Sequence, residues 1–301
     1  MKVLVTGASG LIGSALCDSL LVRGDSVVGL TRYPERARGT NPSVVWHAWE
    51  PTLERPPAEA FDAVDGVVNL VGEKINQRWT DEAKKRILES RRTGTRNLIG
   101  AIAGLQSKPR VLVSQSAIGF YGDRGDAIVD ESAQPGEGFD ADVVREWESA
   151  AGEAEDLGLR LAIVRTGHVL DPGGGFLAKL LQPFKLGVGG PLAGGRQYVS
   201  WIHIDDEIGI LLWALDNEKV SGVINSTAPK PVTNREFSKA LGHALGRPAA
   251  MPVPGLALDL MYGSEFGTVL RGGQRVVPRR ATDLGYEFRF TEIDEALGDL
   301  L

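Results

Sequence analysis

The chain has 301 residues, 43% of them hydrophobic and 24% charged, and a formal net charge of −6. This composition is typical of a globular protein, and the negative charge argues against nucleic acid or an anionic membrane as a partner. The single cysteine, Cys17, excludes an intrachain disulfide and a cysteine-based metal site. We expect a cytoplasmic protein, because the first predicted strand leaves no room for a signal peptide and no apolar run approaches about 18 residues.

The sequence opens with a strand, a glycine-rich turn and a helix. Residues 1–6 (MKVLVT) form an apolar strand, residues 7–13 (GASGLIG) the turn, and residues 14–21 (SALCDSLL) the helix. A glycine motif in this setting predicts a dinucleotide site. The spacing G-x-x-G-x-x-G resembles that of the short-chain dehydrogenase/reductase superfamily.

Each glycine of the turn has a separate task in such a site. Gly7 permits a tight turn, Gly10 lets the backbone approach a pyrophosphate, and Gly13 lets helix and strand pack closely. The first helical N–H groups then face the phosphates, where the helix dipole favours negative charge. The alternative is that the glycines serve the fold alone. The residues predicted to bind the cofactor here are Gly7, Ser9, Gly10, Leu11, Ile12 and Gly13.

Strands and helices alternate over about the first 170 residues. The runs are nearly continuous in apolar residues, as expected for parallel strands covered on both faces. We therefore predict an α/β fold, a doubly wound parallel sheet of the Rossmann type, with ligands beyond the carboxyl ends of the strands. The further predicted strands are 26–31, 44–47, 66–71, 111–114 and 161–165, and a long helix is predicted over 81–103.

The pattern changes after residue 165, where glycine-rich loops, a helix ending near residue 215, a strand at 223–225 and a helix over 234–245 follow. We predict a nucleotide-binding domain and a smaller C-terminal substrate lobe. The domain comprises residues 1–170, with a further helix and strand from 204–228, and the lobe comprises residues 171–203 and 229–301.

The residues after the second strand select the cofactor. An acidic residue at this point favours NAD, whereas a basic residue suits the 2′-phosphate of NADP. The chain has Thr31 and Arg32 there, with Arg36 and Arg38 close behind. Arginine is always charged and can hold phosphate at two points. We predict that NADP(H) is preferred; the alternative for Arg32 is a solvated surface arginine.

Motifs over nearly the whole chain resemble those of one family. They are residues 6–13 (TGASGLIG), 69–73 (NLVGE), 78–79 (RW), 90–91 (SR), 189–192 (GGPL), 195–197 (GRQ), 200–203 (SWIH) and 273–280 (GQRVVPRR). Together they resemble the atypical extended short-chain dehydrogenase/reductase group called "epimerase family protein", which has its own C-terminal domain. The resemblance implies a Rossmann domain, an NADP(H) site and a poorly defined small-molecule substrate. It also suggests a homodimer through an exposed apolar helix pair.

The same resemblance implies further cofactor contacts, besides Thr31 and Arg32 around the adenosine phosphate. Leu70 and Val71 would pack beside the adenine and its ribose; the alternative for them is ordinary strand core, and the two roles are compatible. Arg91, and Arg86 on the same helix, would approach the phosphates or ribose. Val169, just past the sixth strand, would lie near the nicotinamide.

The usual acid–base pair of short-chain reductases is missing. Those enzymes use Tyr-x-x-x-Lys, in which the lysine lowers the pKa of the tyrosine. None of the five tyrosines here has lysine four residues later. The helix expected to carry the pair shows a packing stripe instead, at the spacing of one helix face. The stripe comprises Val143, Val144, Trp147, Ala150, Ala151 and Ala154.

The remaining catalytic candidates follow the fifth strand, in residues 114–122 (SQSAIGFYG). Ser116 can hydrogen-bond a substrate carbonyl or hydroxyl, and Tyr121 can donate a proton. Polar loop residues that close a strand would account for either one, and no obvious cation is available to lower the pKa of Tyr121. His168 is a lesser candidate for substrate contact. The four histidines give no pair at metal-ligand spacing, so no metal is predicted.

Two functions fit the sequence. The first is an NADP-dependent oxidoreductase or epimerase acting on a small hydroxy or carbonyl compound or on a nucleotide sugar. The second is a catalytically silent, NADPH-binding sensor or regulatory protein, a hypothesis supported by the missing Tyr-x-x-x-Lys. We favour the enzyme, because other residues can supply a proton and the hydride chemistry belongs to the cofactor.

Overall fold

The computed structural model describes all 301 residues. Its strands are β1 (Lys2–Thr6), β2 (Ser26–Thr31), β3 (Val45–Ala48), β4 (Gly66–Asn69), β5 (Val111–Ala117), β6 (Ile128–Val129), β7 (Arg160–Thr166), β8 (His168–Asp171), β9 (Tyr198–Val199), β10 (Trp201–His203), β11 (Gly222–Ser226), β12 (Val232–Thr233) and β13 (Arg275–Val276). Its helices are α1 (Leu11–Val22), α2 (Pro34–Thr40), α3 (Asp81–Ala103), α4 (Phe139–Gly152), α5 (Gly175–Lys185), α6 (Ile204–Asp216), α7 (Asn234–Ala244), α8 (Gly255–Tyr262), α9 (Ser264–Arg271), α10 (Arg279–Asp283) and α11 (Ile293–Leu300).

Seven parallel strands form the central sheet in the order β11-β7-β5-β4-β1-β2-β3. The chain starts in the middle at β1, runs outward through β2 and β3, and then crosses back to β4. The order of strands therefore reverses between β1 and β4, and ligands bind at such a reversal, beyond the carboxyl ends. The predicted fold class, a doubly wound Rossmann sheet, is confirmed.

The sheet has an apolar layer on each face, which explains its uninterrupted apolar strands. Val3 and Val5 of β1 belong to a cluster with Leu16 of α1 and Leu211 of α6. Leu4, which points the opposite way, belongs to a second cluster, formed with α3 and α4. Successive side chains of a strand alternate between faces. Both faces are therefore buried, and every position of β1 from Val3 to Thr6 is inaccessible to solvent.

A third cluster lies in the later part of the chain. Phe184 of α5, Phe237 of α7 and Leu297 of α11 are buried there together. Helix α5 was not predicted from the sequence, which shows glycine-rich loops on either side of it. A two-residue parallel ladder also joins β13 to β6, so the motif at residues 273–280 is tied to the segment after β5. The predicted division of the chain into two domains stays a prediction.

The outward face of the helix pair α3–α4 is charged. Arg92 lies 3.6 Å from Glu146, and Arg96 lies 2.8 Å from Glu153. No large exposed apolar side chain is on either helix. The expected homodimer stays a prediction. None of the helices combines the length and apolar character needed to cross a membrane.

Candidate functional site

The glycine turn is packed so tightly that two of its positions cannot hold a side chain. Gly7 has φ +62°, and a Cβ there would lie 2.8 Å from the carbonyl oxygen of Leu70. A Cβ on Gly13 would lie 2.3 Å from the carbonyl oxygen of Gly7. That same carbonyl accepts a hydrogen bond from the amide of Gly10 at 2.9 Å. The turn thus lies directly against the end of β4 and the start of α1, as a phosphate-binding turn requires.

The N-terminus of α1 is left open by the turn. Its N-cap residue, Gly10, makes no side-chain capping bond, and the first turn holds no acidic residue. Leu11 and Ile12 follow, and Ser9 precedes on the exposed tip. The uncapped N–H groups and the helix dipole make this end suitable for an anion. Across it lies Gly174, where a Cβ would come within 2.9 Å of Leu11 Cδ1.

Free positive charge lies at the end of β2. The hydroxyl of Thr31 is 3.3 Å from that of Ser9, across from the glycine turn. Arg32 is exposed and stands 5.8 Å from the ring centroid of Tyr33. No carboxylate lies within 4.0 Å of Arg32, whereas nearby Arg38 is paired with a glutamate. Arg32 is therefore free to bind a phosphate.

Asn69, which was not predicted as a site residue, is the last residue of β4; we call the edge formed by the carboxyl ends of β1, β4 and β5 the cleft. Its amide is fully buried; it accepts from Thr6 Oγ1 at 2.8 Å and donates to Thr95 Oγ1 at 3.1 Å and to Ser114 Oγ at 3.3 Å. These bonds join the ends of β1 and β4 to the middle of β5 and to α3. The amide of Leu70 also donates to Thr6 Oγ1 at 3.0 Å. The chain consequently leaves β4 in a fixed direction.

Of the two arginines predicted on α3, the structure brings one to the cleft. Arg91 donates to the carbonyl oxygens of Glu73 at 3.0 Å and Ile87 at 3.2 Å. Its guanidinium also faces Gly72, just past Val71 and the end of β4. Burial lowers the pKa of Arg91 to about 10. Arg86 is exposed, and its side-chain hydrogen bond goes to the neighbouring loop.

Ser116 and Tyr121 are joined by a buried charged network rather than exposed in a loop. Ser116 Oγ donates to Glu148 Oε1 at 2.6 Å, and Arg165 holds the same carboxylate with two bonds of 2.7 Å. The Tyr121 hydroxyl accepts from Arg165 Nη1 at 3.0 Å and donates to Asn225 Oδ1 at 2.7 Å. Ser116 is 2% exposed and Tyr121 0%.

Arg165 is the cation that sequence reasoning missed beside Tyr121. Burial nevertheless dominates and raises the pKa of Tyr121, although Arg165 acts in the opposite direction. With no exposed surface and both hydrogen-bonding positions occupied, the Tyr121 hydroxyl is enclosed in the network. The geometry therefore favours a structural role for Tyr121. Of the two catalytic candidates, only Ser116 lies at the carboxyl end of β5.

Past the end of β7 the chain continues as β8, which pairs in parallel with β10. Gly167 makes this possible, because a Cβ there would lie 2.3 Å from the carbonyl oxygen of Ser200. Val169 is half-buried and pairs with Ile202. His168 Nδ1 lies 3.3 Å from the Ser200 carbonyl oxygen, and burial lowers the pKa of this histidine. Val169 thus lies just past the carboxyl end of β7, in a separate two-stranded sheet with β10.

The carboxylate of Glu207, which was also not predicted as a site group, lies at the carboxyl ends of β7 and β11. Glu207 of α6 is fully buried; it accepts from Thr166 Oγ1 at 2.9 Å and from Ser226 Oγ at 2.6 Å. No cation pairs with it, and burial raises the pKa of its carboxyl to about 7. The only sequence signal was an acidic residue on an otherwise apolar helix face.

Comparison with known proteins agrees with this geometry. A model of the NAD dependent epimerase/dehydratase family matches residues 3–225, and one of DUF1731, a domain of unknown function, matches residues 253–300. The human epimerase family protein SDR39U1 is 37% identical over 306 residues, with 100% of both chains covered. An Arabidopsis thaliana homolog, described as chloroplastic, is 38% identical over 299 residues, covering 99% of this chain and 86% of that protein.

Solved structures show the same relationship. The crystal structure of human SDR39U1 (isoform 2) with NADPH has a TM-score of 0.89 and 36% identity, covering 100% of this chain and 99% of that one. A nucleoside-diphosphate sugar epimerase from Corynebacterium glutamicum has a TM-score of 0.81 and 33% identity, covering 100% of this chain and 58% of that one. The family predicted from the motifs is confirmed: the chain belongs to the NAD dependent epimerase/dehydratase family.

Proposed function

We propose that this protein is an NADP(H)-dependent oxidoreductase or epimerase that acts on a small carbonyl or hydroxy compound or on a nucleotide sugar. The observation that carries the proposal is the combination of a side-chain-free glycine turn, an uncapped helix N-terminus and an unpaired Arg32 at the reversal point of the sheet. Each element favours bound phosphate. The human relative crystallised with NADPH supports the same cofactor.

The cofactor's parts would be held by different strand ends. The backbone from Gly7 to Gly13 and the start of α1 would hold the pyrophosphate. Thr31 and Arg32 would hold the 2′-phosphate, while Leu70 and Val71 would pack beside the adenosine. Arg91, next to these two residues, would reach a phosphate or ribose oxygen, and Val169 would line the nicotinamide end. Arg86 is the weakest member of the predicted set, because it is exposed and turned toward a loop.

The chemistry would take place beside Ser116. When bound, the cofactor supplies or accepts a hydride. Ser116 Oγ would donate its hydrogen bond to a substrate oxygen, in exchange for the one it now gives to Glu148. Glu148 stays charge-balanced by Arg165, and Tyr121 orients that arginine. The loop over residues 171–175 and the proposed lobe of residues 171–203 and 229–301 would close over the substrate.

Two observations favour the alternative, an NADPH-binding sensor without turnover. Ser116 and Tyr121 are both enclosed, and the chain lacks the usual Tyr-x-x-x-Lys. In a sensor, binding of the cofactor would change the shape of the cleft or its partner surface, with no substrate consumed.

Titration of cofactor-stripped protein with NADPH and NADH, followed by nicotinamide fluorescence, tests the proposal. We expect NADPH to bind about 10- to 150-fold more tightly, as one charge-assisted contact provides. Failure to bind either cofactor would refute both functions. With binding established, a screen of carbonyl compounds for NADPH oxidation separates the enzyme from the sensor, and Ser116→Ala should abolish most of any turnover found.

A further inference from the structure

Trp147 of α4 has a buried hydrogen-bond donor with nothing to donate to. The side chain is 4% exposed, and its Nε1 atom is closed to solvent and has no acceptor. Only one other buried side-chain polar atom in the chain is unpartnered, His203 Nε2, and that atom has the carboxylate of Asp299 at 3.4 Å. A buried donor left unpaired costs about 1–3 kcal/mol. The indole N–H therefore needs a hydrogen-bond acceptor, and the protein itself does not provide one.

The position of Trp147 relates it to the cofactor cleft. The next residue, Glu148, holds Ser116 at the carboxyl end of β5. The guanidinium of Arg91 lies 5.0 Å from the centroid of the Trp147 ring and also faces Gly72, just past the end of β4. Trp147 thus stands beside the ends of β4 and β5, although it belongs to none of the four apolar clusters.

The order of strands indicates which half of a dinucleotide reaches this place. With the pyrophosphate over the turn after β1, the adenosine half extends toward β2, where Arg32 is free. The other half extends in the opposite direction, over β4 and β5. Trp147 is on that side, whereas the adenosine side holds no unpartnered buried donor.

We propose that the indole N–H of Trp147 binds the nicotinamide riboside half of NADP(H) by donating a hydrogen bond to one of its oxygens. This inference rests on the proposed function. Because Nε1 is closed to solvent, this bond requires the Arg91 side chain, which lies over the Trp147 ring, to move toward the phosphate or ribose oxygen that it is proposed to hold. Tryptophan is a donor only and does not ionise in the ordinary pH range. Trp147 therefore positions the cofactor and leaves proton transfer to the Ser116 network.

Indole NMR of the full-length protein tests the proposal without a substrate. The chain has six tryptophans, and the Nε1–H signal of Trp147 is assigned by its absence in Trp147→Phe or by its contacts with Arg91. We expect this signal to move downfield on addition of NADP⁺ and to stay in place on addition of adenosine 2′,5′-bisphosphate, the adenosine half alone. A signal that is unmoved by bound NADP⁺, or that moves equally with both ligands, overturns the proposal.

Affinities give a second, independent readout. Trp147→Phe keeps a ring but removes the N–H, so it should weaken NADPH binding roughly 3- to 10-fold and leave the affinity for adenosine 2′,5′-bisphosphate unchanged. Trp213→Phe is the matched control. Trp213 is in α6, and its ring centroid lies 5.4 Å from that of Tyr286. This variant should bind both ligands as the wild type does. If Trp147→Phe binds NADPH with wild-type affinity, the inference is wrong. If wild-type protein binds no NADPH, the proposed function fails as well.

Discussion

Arg165 and Glu148 form a two-point ion pair in the interior, with both N–O distances 2.7 Å and side chains 4% and 11% exposed. The planar guanidinium fits this geometry, and it also stacks 3.3 Å from the ring centroid of Phe120. Through this one side chain β7 is joined to α4 and to the turn after β5. The acidic partner of Ser116 therefore depends on a residue from another strand.

Removal of Arg165 alone should be strongly destabilising. Arg165→Met leaves the Glu148 carboxylate buried without its cation, which costs about 3–5 kcal/mol of unfolding free energy. The double variant Arg165→Met/Glu148→Met removes both charges and should recover most of that loss. Urea unfolding of the wild type and the three variants, including Glu148→Met, measures the coupling. Equal stabilities for the Arg165 single variant and the double variant would contradict a buried, mutually dependent pair.

Where the sequence carried a local signal, it predicted the structure well. The helix predicted over 81–103 has those bounds, because Thr80 caps it through a bond to the amide of Ala83 at 3.2 Å, and Gly104 follows it. All seven central strands were likewise predicted from short apolar runs. A short apolar run is sufficient to predict such a strand, since burial on both faces of the sheet requires apolar residues at successive positions.

The contacts that build the site could not be predicted, since they join distant parts of the chain. Glu148 and Arg165 are 17 residues apart, and Tyr121 and Arg165 are 44 apart. The pairing of β5 with β7 and the packing of α4 against both strands bring them together. Helix α5 was not predicted for a different reason. It begins at Gly175, which has φ +66°, and it contains Pro183. Both residues ordinarily indicate a loop.

Cofactor selectivity should depend on Arg32. Arg32→Ala removes a charge-assisted contact to the 2′-phosphate, so NADPH affinity should fall about 10- to 150-fold while NADH affinity stays the same. Arg38→Ala is the matched control, because that arginine is already paired with Glu35 at 2.9 Å. Isothermal titration with both cofactors decides the point. If Arg32→Ala lowers the affinity for NADH by a similar factor, the effect arises from a change in the fold. If Arg38→Ala lowers the affinity for NADPH by a similar factor, the effect arises from general positive charge.

The glycine turn should not tolerate a single methyl group. In Gly13→Ala the new Cβ meets the Gly7 carbonyl oxygen at 2.3 Å, a backbone atom that cannot swing away. We expect a lower melting temperature and at least a tenfold loss of NADPH affinity, since helix and turn must separate. Gly298→Ala, in open space on α11, is the control and should stabilise the helix by about 0.5–1 kcal/mol. Normal cofactor binding by Gly13→Ala would contradict the proposed phosphate turn.

Glu207 should make the protein less stable as the pH rises. Its carboxyl is buried without a cation, which raises its pKa from 4.5 to about 7 in the folded state. Between these two values the folded protein binds the proton more tightly than the unfolded chain does. The contribution of this proton to stability is therefore complete below about pH 4.5 and is lost as the pH rises to about 7. The shift corresponds to a loss on the order of 3 kcal/mol.

Glu207→Gln isolates this contribution, because glutamine stays neutral and can still bond to the hydroxyls of Thr166 and Ser226. Urea unfolding at pH 5 and pH 8 should show the variant gaining stability relative to the wild type at the higher pH. Glu295→Gln is the control, since that side chain is exposed, forms no ion pair and should leave the pH dependence unaltered. If the difference between wild type and Glu207→Gln is the same at both pH values, the carboxyl does not titrate in this window and the prediction is wrong.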